Sequence, residues 1–188
     1  MADPREELKW AGKEVFQRGL VLGRAGNIST RLTKERILIS ATGASLGNLT
    51  DEDLVVLDTK GKRLLGTKDP STEYLTHLEI YNYRADVNAV VHTHSTYATV
   101  LAYLKKDLKR VNPEVEAILG TVPIVSEHPY GTKELAEAVV AALGNNKVVL
   151  VQRIGVITVG QELTEAVEIA ELAEEIAKMS YLVDLQAR

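Results

Sequence analysis

Two histidines one residue apart, His92 and His94, close the apolar run Asn88 to His94. The run reads as a strand. Alternate side chains of a strand share a face, so both imidazoles point the same way. Paired imidazoles suit a borderline divalent metal such as Zn²⁺; the other reading is two polar residues at a strand end. Glu73 falls in what reads as the first turn of the preceding helix. There a carboxylate can complete a two-histidine, one-carboxylate ligand set, act as a general base beside it, or simply favour the positive end of the helix dipole. His77 lies one turn further on, on the same face, where packing or hydrogen bonding is favoured over a second ligand role.

A third kind of chemistry is anion binding. Turns of small residues and helix starts offer free backbone N–H groups to a phosphate. Gly26-Asn27, Thr42-Gly43 and Ser71-Thr72 are such segments. Each alone is also what an ordinary turn or cap uses.

These residues need elements to position them. Asp3 reads as an N-cap, Pro4 as the first helical residue and Glu6 as the partner in a capping box, with Leu8, Ala11 and Val15 at helical spacing and Gly19 as the stop. A turn at Arg24–Ser29 leads into a strand. Arg36–Ser40 is a second strand, Ala41–Gly47 a loop of small residues, and Leu54–Leu57 with Arg63–Leu65 a hairpin around Lys60-Gly61. Pro70-Ser71-Thr72 opens a helix running to about Arg84, and Ser95 caps the helix after the histidine strand. Glu116–Ser126 reads as apolar and β-rich, broken at Gly120 and Pro123. Gly131-Thr132 caps a helix that Gly144 ends. Lys147–Val151 and Val156–Val159 are strands joined by Gln152-Arg153-Ile154-Gly155, and a long helix starts near Leu163. Strands joined by turns too tight for crossover helices imply one α/β domain over residues 1–188: a three-layer α/β/α sandwich with a mixed, largely antiparallel sheet.

Composition agrees. The chain has 188 residues, 45% hydrophobic and 26% charged, which is ordinary globular usage. A net charge of -4 argues against a nucleic-acid binder. The basic run Lys105–Arg110 reads as a solvated helix end. With no cysteine there is neither a disulfide nor a thiolate metal site. No apolar run is long enough for a membrane span, and the acidic start lacks the pattern of a signal peptide. A cytoplasmic protein is expected.

The ordered pieces Gly26-Asn27-Ile28-Ser29, Thr42-Gly43, Ser71-Thr72-Glu73 with His77, and His92-Thr93-His94 resemble the class II aldolase and adducin-head family over roughly residues 5 to 180. Gly131-Thr132-Lys133-Glu134-Leu135 and the closing helix extend the likeness. The resemblance implies that Gly26, Asn27, Thr42, Gly43, Ser71 and Thr72 hold a substrate phosphate. It implies Glu73 as catalytic acid/base and His92, His94 and Glu73 as the zinc-binding set. The implied reaction is reversible aldol cleavage of a phosphorylated ketose of the fuculose 1-phosphate type, through a zinc-stabilised enediolate of dihydroxyacetone phosphate, in a homotetramer. Other members imply alternatives: a ribulose-phosphate epimerase, a methylthioribulose-phosphate dehydratase, or a non-catalytic adducin-like interaction module.

Two positions depart from the family pattern. A third zinc histidine precedes a glycine in the family, and Ile154 occupies that position here. Three outcomes follow: Glu73 substitutes on the metal, His128 or Gln152 reaches in, or the metal site is impaired. The fuculose-phosphate enzymes also supply a tyrosine proton donor from a neighbouring subunit. The matching stretch, Val111-Asn112-Pro113-Glu114, has none.

Overall fold

A computed structural model describes residues 3–187; Met1, Ala2 and Arg188 lie outside the described residues. The first helix, α1 (Pro4–Gln17), starts as its sequence dictates, with the Asp3 carboxylate accepting from the Arg5 N–H at 2.9 Å. Glu6 does not serve the cap. It pairs with Lys9, one turn on, at 2.6 Å.

Four strands follow, β1 (Asn27–Thr33), β2 (Arg36–Ser40), β3 (Leu54–Asp58) and β4 (Arg63–Leu65), then α2 (Tyr74–Tyr83) and β5 (Ala89–Thr93). The remaining elements are α3 (Thr96–Tyr103), α4 (Pro113–Leu119), β6 (Ile124–Val125), α5 (Lys133–Leu143), β7 (Val148–Val151), β8 (Gly155–Gly160) and α6 (Leu163–Gln186). The strands form one eight-stranded sheet in the order β4-β3-β2-β1-β5-β8-β7-β6. Every pairing is antiparallel except β6 with β7.

Alternation along the strands builds three layers. Ile37, Ile39, Val55, Leu57, Val90 and Val149 face α2 and α5. On the other face Leu38, Val56 and Val91 meet α1 and the first half of α6, while Val148, Leu150 and Val156 meet α3, α4 and the second half of α6. The α/β/α sandwich read from the sequence is the architecture found.

The segment read as β-rich from Glu116 is a helix at its start. Asn112 accepts from the N–H groups of Glu114 and Val115 at 3.1 and 3.2 Å, Pro113 supplies a fixed φ, and Gly120 ends the helix. A cap, a first-turn proline and a terminal glycine outweigh the β propensity of Val115 and Ile118. Only Ile124–Val125 pairs in the sheet.

Candidate active site

The innermost strands position the site. β5 lies between β1 and β8, and its register sets Asn27 opposite His92 on one side and Ile157 opposite His92 on the other. Even-numbered residues of β5 face α2, so His92 points at that helix, as do Asn27 and Ser29 of β1. Gly26 enters β1 with φ 81°, and a Cβ there would lie 2.7 Å from the His92 carbonyl oxygen. Only glycine lets the two backbones approach so closely.

The helix read as opening at Pro70-Ser71-Thr72 starts later, so Glu73 is the N-cap residue of α2 rather than part of its first turn, and its side chain makes no capping hydrogen bond. The carboxylate turns into the sheet. There it accepts from the Asn27 amide Nδ2 at 2.9 Å and pairs with His92 Nδ1. Asn27 Nδ2 also lies 3.1 Å from His92 Nδ1, because both point at the same carboxylate oxygen. On its far side the His92 Nε2 faces the Ile154 carbonyl oxygen at 3.3 Å. Burial opposes charge on both partners, yet their mutual attraction prevails. His92 holds Glu73 down to about 2, with the Asn27 bond adding to it. Glu73 in turn raises His92. Each partner thus favours the charged form of the other. His94 stacks near His92, ring centroids 4.8 Å apart, and turns outward. Desolvation against the cleft wall and then the His92 charge push its pKa down.

Above this pair opens a cleft of about 470 Å³. Gly26, Asn27, Thr42, Gly43, Ser71, Thr72, Glu73, His92 and His94 all line it, whereas His77 and Gln152 do not. A single bridge between Ala41 and Pro70, with the Thr42 N–H donating to Asp69 at 3.0 Å, lays the Thr42-Gly43 loop beside Ser71-Thr72.

The cleft also holds Arg24, Glu127, Tyr130 and Arg153, which the sequence did not single out. Arg153 takes a left-handed φ of 61° and reaches Glu127 at 2.5 Å. His128, considered from the sequence as a replacement ligand, is also on the wall, with its Nδ1 2.9 Å from the Ser126 carbonyl oxygen. Proximity to a Gly-Thr helix start was the one sequence signal available for this loop.

The donor set tests the metal. Ile154 is buried among apolar neighbours and offers only its backbone carbonyl. Gln152 is spent, accepting from the Glu127 N–H at 3.3 Å and donating to the Tyr103 carbonyl at 3.1 Å. Both His92 nitrogens have protein partners. Among the described residues no group of three or more His, Asp or Glu side chains is placed to hold one metal ion. These residues do not fit the three-histidine zinc site that the resemblance implies.

The model of the class II aldolase and adducin N-terminal domain matches residues 6–181. The chain belongs to that family. It is 42% identical over 170 residues to the L-fuculose phosphate aldolase of Methanococcus vannielii, covering 90% of this chain and 91% of that one. Over 187 residues it is 33% identical to the 3-oxo-tetronate 4-phosphate decarboxylase of Haemophilus influenzae, covering 97% and 89%. A solved L-fuculose 1-phosphate aldolase superposes with a TM-score of 0.92 at 32% identity, over 100% of this chain and 89% of that one. Another, from Thermus thermophilus, superposes at 0.88 with 27% identity, over 97% and 95%. Among the described residues no helix is long and apolar enough to cross a membrane.

Proposed function

We propose that this family member is a lyase acting on a small phosphorylated sugar, with Glu73 as the acid/base. One observation carries the reading: a buried, ionised carboxylate lies in the same cleft as the Thr42-Gly43 and Ser71-Thr72 segments. The Thr42 and Ser71 N–H groups are bound to the Asp69 and Ser40 carbonyls, which leaves the N–H groups of Gly43 and Thr72 and the hydroxyls of Thr42, Ser71 and Thr72 to suit a phosphate. A phosphate anchored there would leave the rest of the substrate beside Glu73.

In the condensation direction Glu73 takes a proton from the carbon next to the ketone, and the electron pair moves to the carbonyl oxygen. The enediolate then adds to an aldehyde, whose oxygen gains a proton. Cleavage is the reverse. The developing oxyanion needs positive charge nearby. His92, once protonated, supplies such a charge next to Glu73, and its Nε2–H can turn from the Ile154 carbonyl to a substrate oxygen. While paired with His92, Glu73 is a weak base; drawing His92 toward the substrate would strengthen it. Tyr130, exposed on the cleft wall, is a proton donor within this chain.

A decarboxylase reading is the second. Two arginines, Arg24 and Arg153, line the cleft, Arg153 paired with Glu127, and a substrate bearing a carboxylate would find guanidinium partners there.

Turnover assays decide. The parent and Glu73→Gln would be tested with fuculose 1-phosphate, related ketose phosphates and 3-oxo-tetronate 4-phosphate, with and without added divalent metal. The expectation is cleavage by the parent and a loss of about 10²–10⁴-fold in the variant, the range for a positioned acid/base. Equal rates in both would remove Glu73 from the reaction. No turnover of any substrate would favour the adducin-like interaction module. The homotetramer belongs to the same proposal and is checked by light scattering.

A further inference from the structure

Glu73, His77 and Tyr81 stand four residues apart and so on one face of α2, facing Asn27 and Ser29 on one face of β1. These five side chains interdigitate. Tyr81 OH is 2.8 Å from Ser29 Oγ, Ser29 Oγ is 2.6 Å from His77 Nδ1, and His77 Nε2 is 2.5 Å from Asn27 Oδ1. Asn27 Nδ2 then reaches Glu73 at 2.9 Å. His77 and Tyr81 are fully enclosed, and Asn27 and Ser29 are buried.

The direction of every bond follows from the last one. An ionised carboxylate only accepts, so the Asn27 NH₂ must face Glu73 and its oxygen must face His77. His77 therefore donates from Nε2 and accepts at Nδ1. Ser29 must then donate to His77 and accept from Tyr81. The result is a one-way relay, Tyr81 to Ser29 to His77 to Asn27 to Glu73. Burial drives the His77 pKa down to about 3, which keeps the ring neutral and the relay intact at working pH. The Asn27 oxygen and one of its two amide N–H bonds are thus committed to the relay.

We propose that Asn27 and His77 are positioning residues, which hold the Glu73 carboxylate through this buried hydrogen-bond relay. The proposal rests on Glu73 being the acid/base, and its test separates the two.

The first measurement needs no substrate. Long-range ¹H–¹⁵N correlation of the ligand-free parent reads the His77 tautomer. The expected form is protonated at Nε2 and bare at Nδ1; protonation at Nδ1 overturns the relay. The second is kinetic, with His77→Leu and His77→Gln on whichever phosphorylated sugar the parent turns over. Leucine removes the donor to Asn27, and glutamine keeps one. The expectation for His77→Leu is a fall in kcat of about 10- to 100-fold with KM changed less than about threefold, and for His77→Gln recovery of most of that loss. A rise in KM with kcat unchanged overturns the proposal, since it signals a substrate contact. If the parent turns over nothing, the acid/base reading fails while the relay stays testable. Ligand-free crystal structures of the parent and His77→Leu then show the carboxylate either displaced from Asn27, as expected, or unmoved, which overturns the relay. Should His77→Leu not fold, the tautomer of the parent and the kcat of His77→Gln decide.

Discussion

Ile154 carries an aliphatic side chain beside His92, where the resemblance implies a third imidazole. Losing one protein ligand from a zinc site weakens it far more than the 10- to 100-fold typical of outer-shell changes. Protein purified without chelator is therefore expected to hold well under one zinc per chain, and Ile154→His to approach about one. Elemental analysis checks this. Added zinc should also raise the melting temperature of the histidine variant and not that of the parent. Acid titration offers a second test at this scale. His77 ionises near 6.5 in the unfolded chain and near 3 in the fold, because burial disfavours its cation. Its neutral form thus contributes stability above pH 6.5 that is lost as pH falls toward 3, at about 1.4 kcal/mol per unit. Urea midpoints at pH 7.5 and 4.5 should differ more for the parent than for His77→Gln. The chemistry-bearing residues were legible because alternation and i,i+4 spacing are properties of sequence. Arg24, Arg153 and Tyr130 were not, since loops place them, and nothing local announces the left-handed φ of Arg153.

At the scale of elements, α3 shows why caps mislead. Ser95 sits at the N-cap, as its sequence suggests, but its hydroxyl bonds Thr93 Oγ1 at 2.9 Å. The free N–H groups of Tyr97 and Ala98 donate instead to the Glu174 carboxylate of α6, each at 2.9 Å. A distant helix has taken over the capping. Glu174→Ala should destabilise the protein by about 0.5–2 kcal/mol, read from urea unfolding at pH 7. Ser95→Ala, by contrast, should leave α3 capped. No sequence window contains this pairing, since 76 or 77 residues separate the partners. The helix of α4 was a different failure: its cap and proline were present, and β-branched residues concealed them.

For the molecule as a whole, α6 matters most. Its 24 residues cross the sheet, with Leu163, Val167 and Ala170 in one apolar cluster and Ile169, Ala173 and Ile176 in the next. One helix thereby joins two cores on the same face. Cooperative unfolding follows. The fluorescence of Trp10, on α1, and the far-UV circular dichroism should lose their signals at the same urea concentration. Ile176→Ala, far from Trp10 along the chain, should lower both midpoints together by about 2–5 kcal/mol. Separate midpoints would show two independent units. The layered class was readable from tight turns between strands. The strand order was not, because β5 joins β1 and β8 across most of the chain.

The central position of β1, β5 and β8 has a consequence for hydrogen exchange. Their amide protons are paired on both sides and should exchange only when the whole sheet opens. The Thr42-Gly43 loop and the His128–Gly131 segment have no such neighbours and should exchange through local fluctuations. The carboxylate's anchor thus sits in the slowest-opening part of the molecule, and the segments suited to phosphate in the faster one. A bound sugar phosphate should slow deuterium uptake in those loops and leave the strands that hold Asn27 and His92 as they were.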